Sequence, residues 1–64
     1  MPAPFLFGIE GKRAARPTVR LLRETDAAGI LLLARNIDSP AQVGGLVRGL
    51  EDALGRRLIV SIDH

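Results

Sequence analysis

The stretch ILLLARNIDSPAQVGGLVRGLEDALGRRLIVSI, residues 30–62, decides the fold. Its two ends, residues 30–34 and 58–62, are continuous apolar runs, which are typical of strands that are covered on both faces in a parallel sheet. Between them, Ser39 suits a helix N-cap, Pro40 the first helical position and Gln42 the third position of a capping box. The pattern predicts a β-α-β unit whose two strands run parallel with a right-handed crossover.

The middle of this unit predicts an amphipathic helix that ends at Gly55. Three glycines inside the helix each cost up to about 1 kcal/mol relative to alanine, so we expect the helix to rely on packing and the small residues to allow a close approach to a sheet. The apolar stripe and the glycines are, in turn, Val43, Leu46, Val47, Leu50 and Leu54, and Gly44, Gly45 and Gly49.

The N-terminal half adds another strand and helix. Residues 4–9, PFLFGI, form a short apolar run with β-favouring phenylalanines. Pro17 suits a first helical turn, and Gly29 is the predicted end of the helix that follows it. The chain is therefore predicted to be an α/β protein with the order β-α-β-α-β. Three parallel strands leave two unpaired edges, whereas an eight-stranded α/β barrel typically needs about 250 residues.

Length and composition restrict the possible functions. A chain of 64 residues is at most one small domain, and the absence of cysteine together with a single histidine predicts neither a disulfide nor a metal site. No apolar run approaches the roughly 20 residues of a membrane span, and the N-terminus lacks a basic signal region. We therefore expect a cytoplasmic protein without a membrane partner.

A basic stretch raises the alternative of nucleic-acid binding. Five cations fall within a segment that contains no acid, but acidic residues follow it and the chain has no Tyr or Trp to stack on bases. We therefore interpret the stretch as solvated surface and expect no nucleic-acid partner. Its members are Lys12, Arg13, Arg16, Arg20 and Arg23.

Asp63 is the best candidate for a functional residue. It directly follows the last predicted strand, and the carboxyl ends of parallel strands are where α/β sheets and barrels place ligand-binding groups. Its carboxylate could accept hydrogen bonds from ligand hydroxyls, although an aspartate after a strand also commonly starts a turn. The neighbouring His64 could act as an acid or base, but adjacent residues of a strand point to opposite faces and rarely share a task.

Other polar residues follow the first two predicted strands. Arg35, Asn36 and Asp38 lie after the second strand and could contact a ligand. We favour a role in tying down the loop, with Arg35 donating to nearby carbonyls and Asn36 making a local turn hydrogen bond. Glu10 follows the first strand and is interpreted as a loop residue.

A nucleotide-binding α/β domain is a rival interpretation. The motifs GIEG, residues 8–11, and GGLVRG, residues 44–49, match no phosphate-binding fingerprint, and the second lies inside a predicted helix rather than ahead of one. Ser39 is interpreted as a cap and not as a nucleophile. We therefore expect no cofactor.

Two segments resemble the early part of family 3 glycoside hydrolases, particularly their bacterial β-N-acetylhexosaminidase branch. They are GILLLARNIDSPAQVGGLVRGLEDALGRRLIVSIDH, residues 29–64, and FLFGIEG, residues 5–11. The combination of Arg-Asn-Ile at 35–37 with Ile-Asp-His at 62–64 is the most specific part of the resemblance. The chain departs from the family's usual residues at Ala28, Ala34, Arg57 and His64.

The resemblance implies that residues 1–64 are an incomplete N-terminal portion of a (β/α)8 TIM barrel that hydrolyses β-linked sugars with retention. It implies that Asp63 binds hydroxyls of the carbohydrate substrate. The family's nucleophile and acid/base group lie downstream, so the resemblance implies no catalytic residue here, and His64 does not inherit the role of the family's catalytic histidine.

Two expectations follow for a chain of this length. As part of a retaining glycosidase it should be inactive alone, because such enzymes usually need two carboxyl groups about 5 Å apart across the scissile bond. The alternative is a non-catalytic α/β piece that docks on a partner through its open sheet edges. In either case the edges are expected to be covered by the remaining barrel strands or by a partner chain.

Overall fold

The computed structural model describes residues 3–63, which form a three-stranded parallel sheet with two helices. The strand order follows the chain, β1-β2-β3, so the predicted β-α-β-α-β order is confirmed. A closed barrel involves more strands than these three and stays a prediction. The elements are β1 (Ala3–Gly8), α1 (Arg16–Thr25), β2 (Ala27–Leu32), a 3₁₀ turn (Ala34–Asn36), α2 (Pro40–Leu54) and β3 (Ile59–Ile62).

Both helices lie on the same face of the sheet, because two successive crossovers of the same hand join strands that are laid down in chain order. The core between helices and sheet is a single cluster, to which β2 contributes Ile30 and Leu32 and α2 contributes Leu46 and Leu50. The rest of the predicted α2 stripe packs against this cluster, as expected for an amphipathic helix. The buried apolar residues are Ile9, Leu22, Ala27, Ile30, Leu32, Leu46 and Leu50.

The other face of the sheet is uncovered within residues 3–63. Leu6 of β1 and Ile59 of β3 both pair with Gly29 of β2, so the three residues form one row across the sheet. The neighbouring row contains the buried Ile30, and the alternation of side chains therefore places Leu6 and Ile59 on the opposite face. They are 38% and 61% exposed. The prediction of strands covered on both faces is thus not met by this part of the chain.

The end of α1 differs from the prediction. The helix ends at Thr25 rather than at Gly29, and Asp26 adopts the left-handed conformation with φ 53°. Aspartate tolerates this conformation better than most residues do, so no glycine is needed at the helix end. The chain enters β2 at once, where the Arg56 guanidinium donates a hydrogen bond of 2.7 Å to the carbonyl of Ala27.

Gly29 instead lies inside β2, directly opposite Ile59. A Cβ atom built on Gly29 would lie 1.9 Å from the carbonyl oxygen of Ile59, so any side chain would collide with the backbone of β3. The absence of a side chain at Gly29 therefore permits the pairing of β2 with β3.

The N-terminus of α2 is capped as predicted, with one difference. Ser39 Oγ accepts a hydrogen bond from the backbone N–H of Gln42 at 3.1 Å. The Gln42 side chain reaches back past the cap, and its Oε1 accepts from the N–H of Asp38 at 2.9 Å. The helix ends with Gly55 in the left-handed conformation, as predicted.

Gly49 allows a close contact, but not with the sheet as predicted. A Cβ atom on Gly49 would lie 2.9 Å from the Cβ of Ala14, in the segment that precedes α1. Arg23 of α1 donates a hydrogen bond of 2.7 Å to the carbonyl of Ala53, which links the two helices further along. The small residue in α2 therefore serves the packing of α2 against the segment leading into α1.

Replacing Ser39 by alanine is expected to lower the free energy of unfolding by about 1 kcal/mol, because the N–H of Gln42 loses the side-chain acceptor that Ser39 provides at the helix start. Urea denaturation followed by circular dichroism would measure the loss. Ser39→Asp, which retains an acceptor at the cap, is the control and should stay close to the native stability. Equal stability of Ser39→Ala and the native chain would contradict the capping role.

Candidate functional site

Asp63 lies at the carboxyl edge of the sheet, immediately after β3. Its backbone N–H donates a hydrogen bond of 2.9 Å to the carbonyl of Leu32, so the β2–β3 pairing extends to Asp63 itself. The residue is exposed, which leaves its carboxylate in contact with solvent. The structure thus agrees with the predicted position of Asp63, while its role as a sugar-binding residue stays a prediction.

Asn36 lies at the same edge and is completely buried, at 0% exposure. Its Oδ1 accepts from the N–H of Leu33 at 2.9 Å, which is the predicted local turn bond. Its Nδ2 donates to two carbonyls of the loop after β1, those of Ile9 at 3.1 Å and Gly11 at 2.6 Å. Asn36 therefore joins the loop after β1 to the loop after β2, which is more than a local turn bond.

Gln42, at the start of α2, also links the loop after β1 to the loop after β2. Its Nε2 donates to the carbonyl of Lys12 at 2.6 Å and to that of Asn36 at 3.0 Å. The Lys12 ammonium also lies 2.6 Å from Asp38 Oδ1. This ion pair is exposed and should stabilise the loops by no more than about 1 kcal/mol. Lys12, a member of the basic stretch, thus forms an ion pair within the chain.

The remaining polar residues of this edge are exposed. Glu10 and Arg35 follow β1 and the end of β2, in the regions where the sequence predicted loops. Arg35 makes no hydrogen bond within residues 3–63, so the expectation that it donates to nearby carbonyls is wrong for the part of the chain that the structure describes. His64 lies outside the described residues.

The contacts of Asn36 and Gln42 with the first loop could not be read from the sequence. Their partners are 25 to 30 residues away along the chain, beyond the range of any capping or turn pattern. The only available signal was the capping position of Gln42, which indicates a helix start and says nothing about Lys12 or Asn36.

The chemistry that this edge can perform is hydrogen bonding to a polar ligand. Asp63 offers an exposed carboxylate on a rigid strand end, which can accept hydrogen bonds from hydroxyl groups. The described residues contain no group of three or more potential metal ligands. They also contain no helix with the length and apolar character needed to cross a membrane.

Known proteins provide an independent comparison. The chain is 33% identical over 61 residues to a "Beta-hexosaminidase" of Thioalkalivibrio sulfidiphilus and 29% identical over 63 residues to one of Bordetella avium. A protein of the same name from Methylobacillus flagellatus is 28% identical over 61 residues. These matches cover 95–98% of the chain but only 18% of each relative.

No protein-family model matches the chain, and no solved structure matches it significantly. The evidence for a relationship therefore lies in the sequence similarity to whole proteins. All three relatives carry the same name and align with nearly the full length of the chain. The predicted resemblance to bacterial β-hexosaminidases is thereby confirmed, over a segment that makes up about a fifth of each of those proteins.

Proposed function

We propose that the chain is the N-terminal part of a family 3 glycoside hydrolase that acts on β-linked N-acetylhexosaminides, and that Asp63 binds hydroxyls of the sugar. The observation that carries the proposal is the similarity to proteins named β-hexosaminidase along 95–98% of the chain. The exposed position of Asp63 after a parallel strand supports the role of this residue.

Asp63 contributes binding rather than bond cleavage in this proposal. Hydrogen bonds from a carboxylate to sugar hydroxyls can tighten as the ring approaches the oxocarbenium-like transition state, and such contacts contribute several kcal/mol. Retaining hydrolysis also requires a nucleophile and an acid/base group about 5 Å apart. We propose that both lie outside these 64 residues and that the chain alone is inactive.

The open sheet supports the proposal of a larger barrel. β1 and β3 each have one unpaired edge within residues 3–63, and the face that carries Leu6 and Ile59 is uncovered. In a (β/α)8 barrel, further strands pair with both edges, and the face opposite the helices forms the packed interior. The exposed apolar residues thus lie where barrel closure would bury them.

Asp63→Ala tests the proposed role of Asp63. In the full-length protein, we expect kcat/KM for an aryl N-acetyl-β-glucosaminide to fall about tenfold or more, because the sugar hydroxyls lose a hydrogen-bond acceptor that stabilises the transition state. The matched control is Asp52→Ala, which removes an exposed aspartate from α2. Native kinetics for Asp63→Ala would remove this residue from the site, and an inactive native protein would contradict the glycosidase proposal.

The unpaired edges of β1 and β3 within residues 3–63 also support a second candidate function. A chain of this length with two open edges could act as a non-catalytic piece that docks on a partner protein by strand pairing. Size-exclusion chromatography and amide NMR of the 64-residue chain would test this. A monomer with sharp, dispersed signals would show that the edges need no partner.

A further inference from the structure

We propose that Asn36 is a positioning residue for Asp63, which it holds through a single shared peptide group. This inference rests on the proposed function, because it assigns Asn36 a role in placing the sugar-binding carboxylate. Asn36 is a completely buried side chain whose amide bonds to three backbone groups of two different loops. Such a side chain has no freedom to move independently of its partners.

The connection to Asp63 runs through the peptide bond between Leu32 and Leu33. The carbonyl of this peptide, that of Leu32, accepts the hydrogen bond from the N–H of Asp63 at 2.9 Å. Its N–H, that of Leu33, donates to Asn36 Oδ1 at 2.9 Å. Because one planar peptide group makes both hydrogen bonds, a rotation that broke one would misalign the other. Each hydrogen bond also polarises the peptide group and thereby strengthens the other.

The other side of the Asn36 amide fixes this peptide relative to β1. Nδ2 donates to the carbonyl of Ile9 at 3.1 Å and to that of Gly11 at 2.6 Å, both in the loop that follows the end of β1. A second bond between Asn36 and Leu33, from the N–H of Asn36 to the carbonyl of Leu33 at 2.8 Å, closes a ring around the 3₁₀ turn. Asn36 therefore ties together the ends of β1 and β2 directly and that of β3 through the shared peptide.

The asparagine amide matches the hydrogen-bonding groups around it. The position needs one acceptor facing the N–H of Leu33 and two donors facing carbonyls, which is the inventory of an asparagine side chain. Alanine would leave all three backbone groups without this partner, that of Ile9 in a buried place and those of Leu33 and Gly11 in partly buried ones. We infer that the end of β2 would then rotate, and that Asp63 would lose the geometry needed to meet the sugar.

A double-mutant cycle in the full-length protein would test this inference. Asn36→Ala, Asp63→Ala and the double variant are compared by kcat/KM for an aryl N-acetyl-β-glucosaminide, at a temperature where circular dichroism shows each to be folded. We expect Asn36→Ala to lower kcat/KM by about tenfold in the native background and by less than about twofold when Asp63 is already alanine. A purely structural residue would lower kcat/KM by the same factor in both backgrounds.

Gln42→Ala is the matched control, because it removes hydrogen bonds to the same two loops without touching the Leu32–Leu33 peptide. Its effect should be the same with and without Asp63. Equal factors for Asn36→Ala in both backgrounds would overturn the inference and leave the proposed function intact. Unchanged kinetics for Asp63→Ala alone would instead overturn the proposed role of Asp63.

Hydrogen exchange on the native protein decides the outcome if Asn36→Ala does not fold. The shared peptide predicts that the amide protons of Leu33 and Asp63 are protected to a similar degree and exchange in the same opening event. Exchange of the Leu33 amide at the rate of an exposed loop, with Asp63 still protected, would overturn the inference.

Discussion

Gly29→Ala is expected to disrupt the pairing of β2 with β3 and to lower the free energy of unfolding by about 3 kcal/mol or more. The new methyl group would lie 1.9 Å from the carbonyl oxygen of Ile59 and 2.6 Å from its carbonyl carbon. Both atoms belong to the backbone of the paired strand, so no side-chain rotation can relieve the collision. The strands must separate, and the hydrogen bonds between them are lost with the contact.

Urea denaturation of the native chain and of two alanine variants would measure this effect. Gly8→Ala is the matched control, because Gly8 pairs with Leu31 at the end of β1 and a Cβ atom there has no neighbour within 4 Å. We expect Gly8→Ala to stay within about 0.5 kcal/mol of the native chain. A Gly29→Ala variant as stable as Gly8→Ala would show that β3 can move away without cost.

Leu50→Ala is expected to lower the free energy of unfolding by about 2 to 5 kcal/mol. Leu50 is 0% exposed and lies in the core cluster between α2 and the sheet, where neighbouring side chains can fill a vacated space only in part. The loss therefore combines the transfer free energy of the removed methyl groups with the cost of a cavity. For a domain of this size, such a loss is a large share of the total stability.

Leu21→Ala on α1 is the matched control. Leu21 is 44% exposed, so this substitution removes the same atoms as Leu50→Ala but from a partly solvated place. Chemical denaturation should show a lower urea midpoint for Leu50→Ala with an unchanged slope, and a much smaller shift for Leu21→Ala. Similar shifts for the two variants would mean that Leu50 does not lie in a close-packed core.

The elements that the sequence predicted best are those with strong local signals. Ser39, Pro40 and the apolar stripe of α2 mark the start and the inner face of that helix, and the structure confirms both. These signals work because capping and amphipathic packing involve residues three or four positions apart. The order of the elements along the chain, β-α-β-α-β, followed from the same local information.

The position of Gly29 was predicted wrongly because a glycine after a helical pattern has two physical uses. It can end a helix in the left-handed conformation, or it can allow a close approach of two backbones. Asp26 supplies the left-handed residue here, which leaves Gly29 for the contact with Ile59. Nothing in the local sequence distinguishes the two, since Ile59 lies in another strand.

For the candidate site, the sequence placed Asp63 at a strand end, and the structure agrees because strand ends follow from local patterns. The bonds from Asn36 to Ile9 and Gly11, and those from Gln42 to the first loop, were decided only by the tertiary structure. The sequence by itself thus determined the elements, the cap of α2 and the edge on which Asp63 lies. The tertiary structure decided which backbone groups each buried amide satisfies, because those partners meet only after the strands have paired.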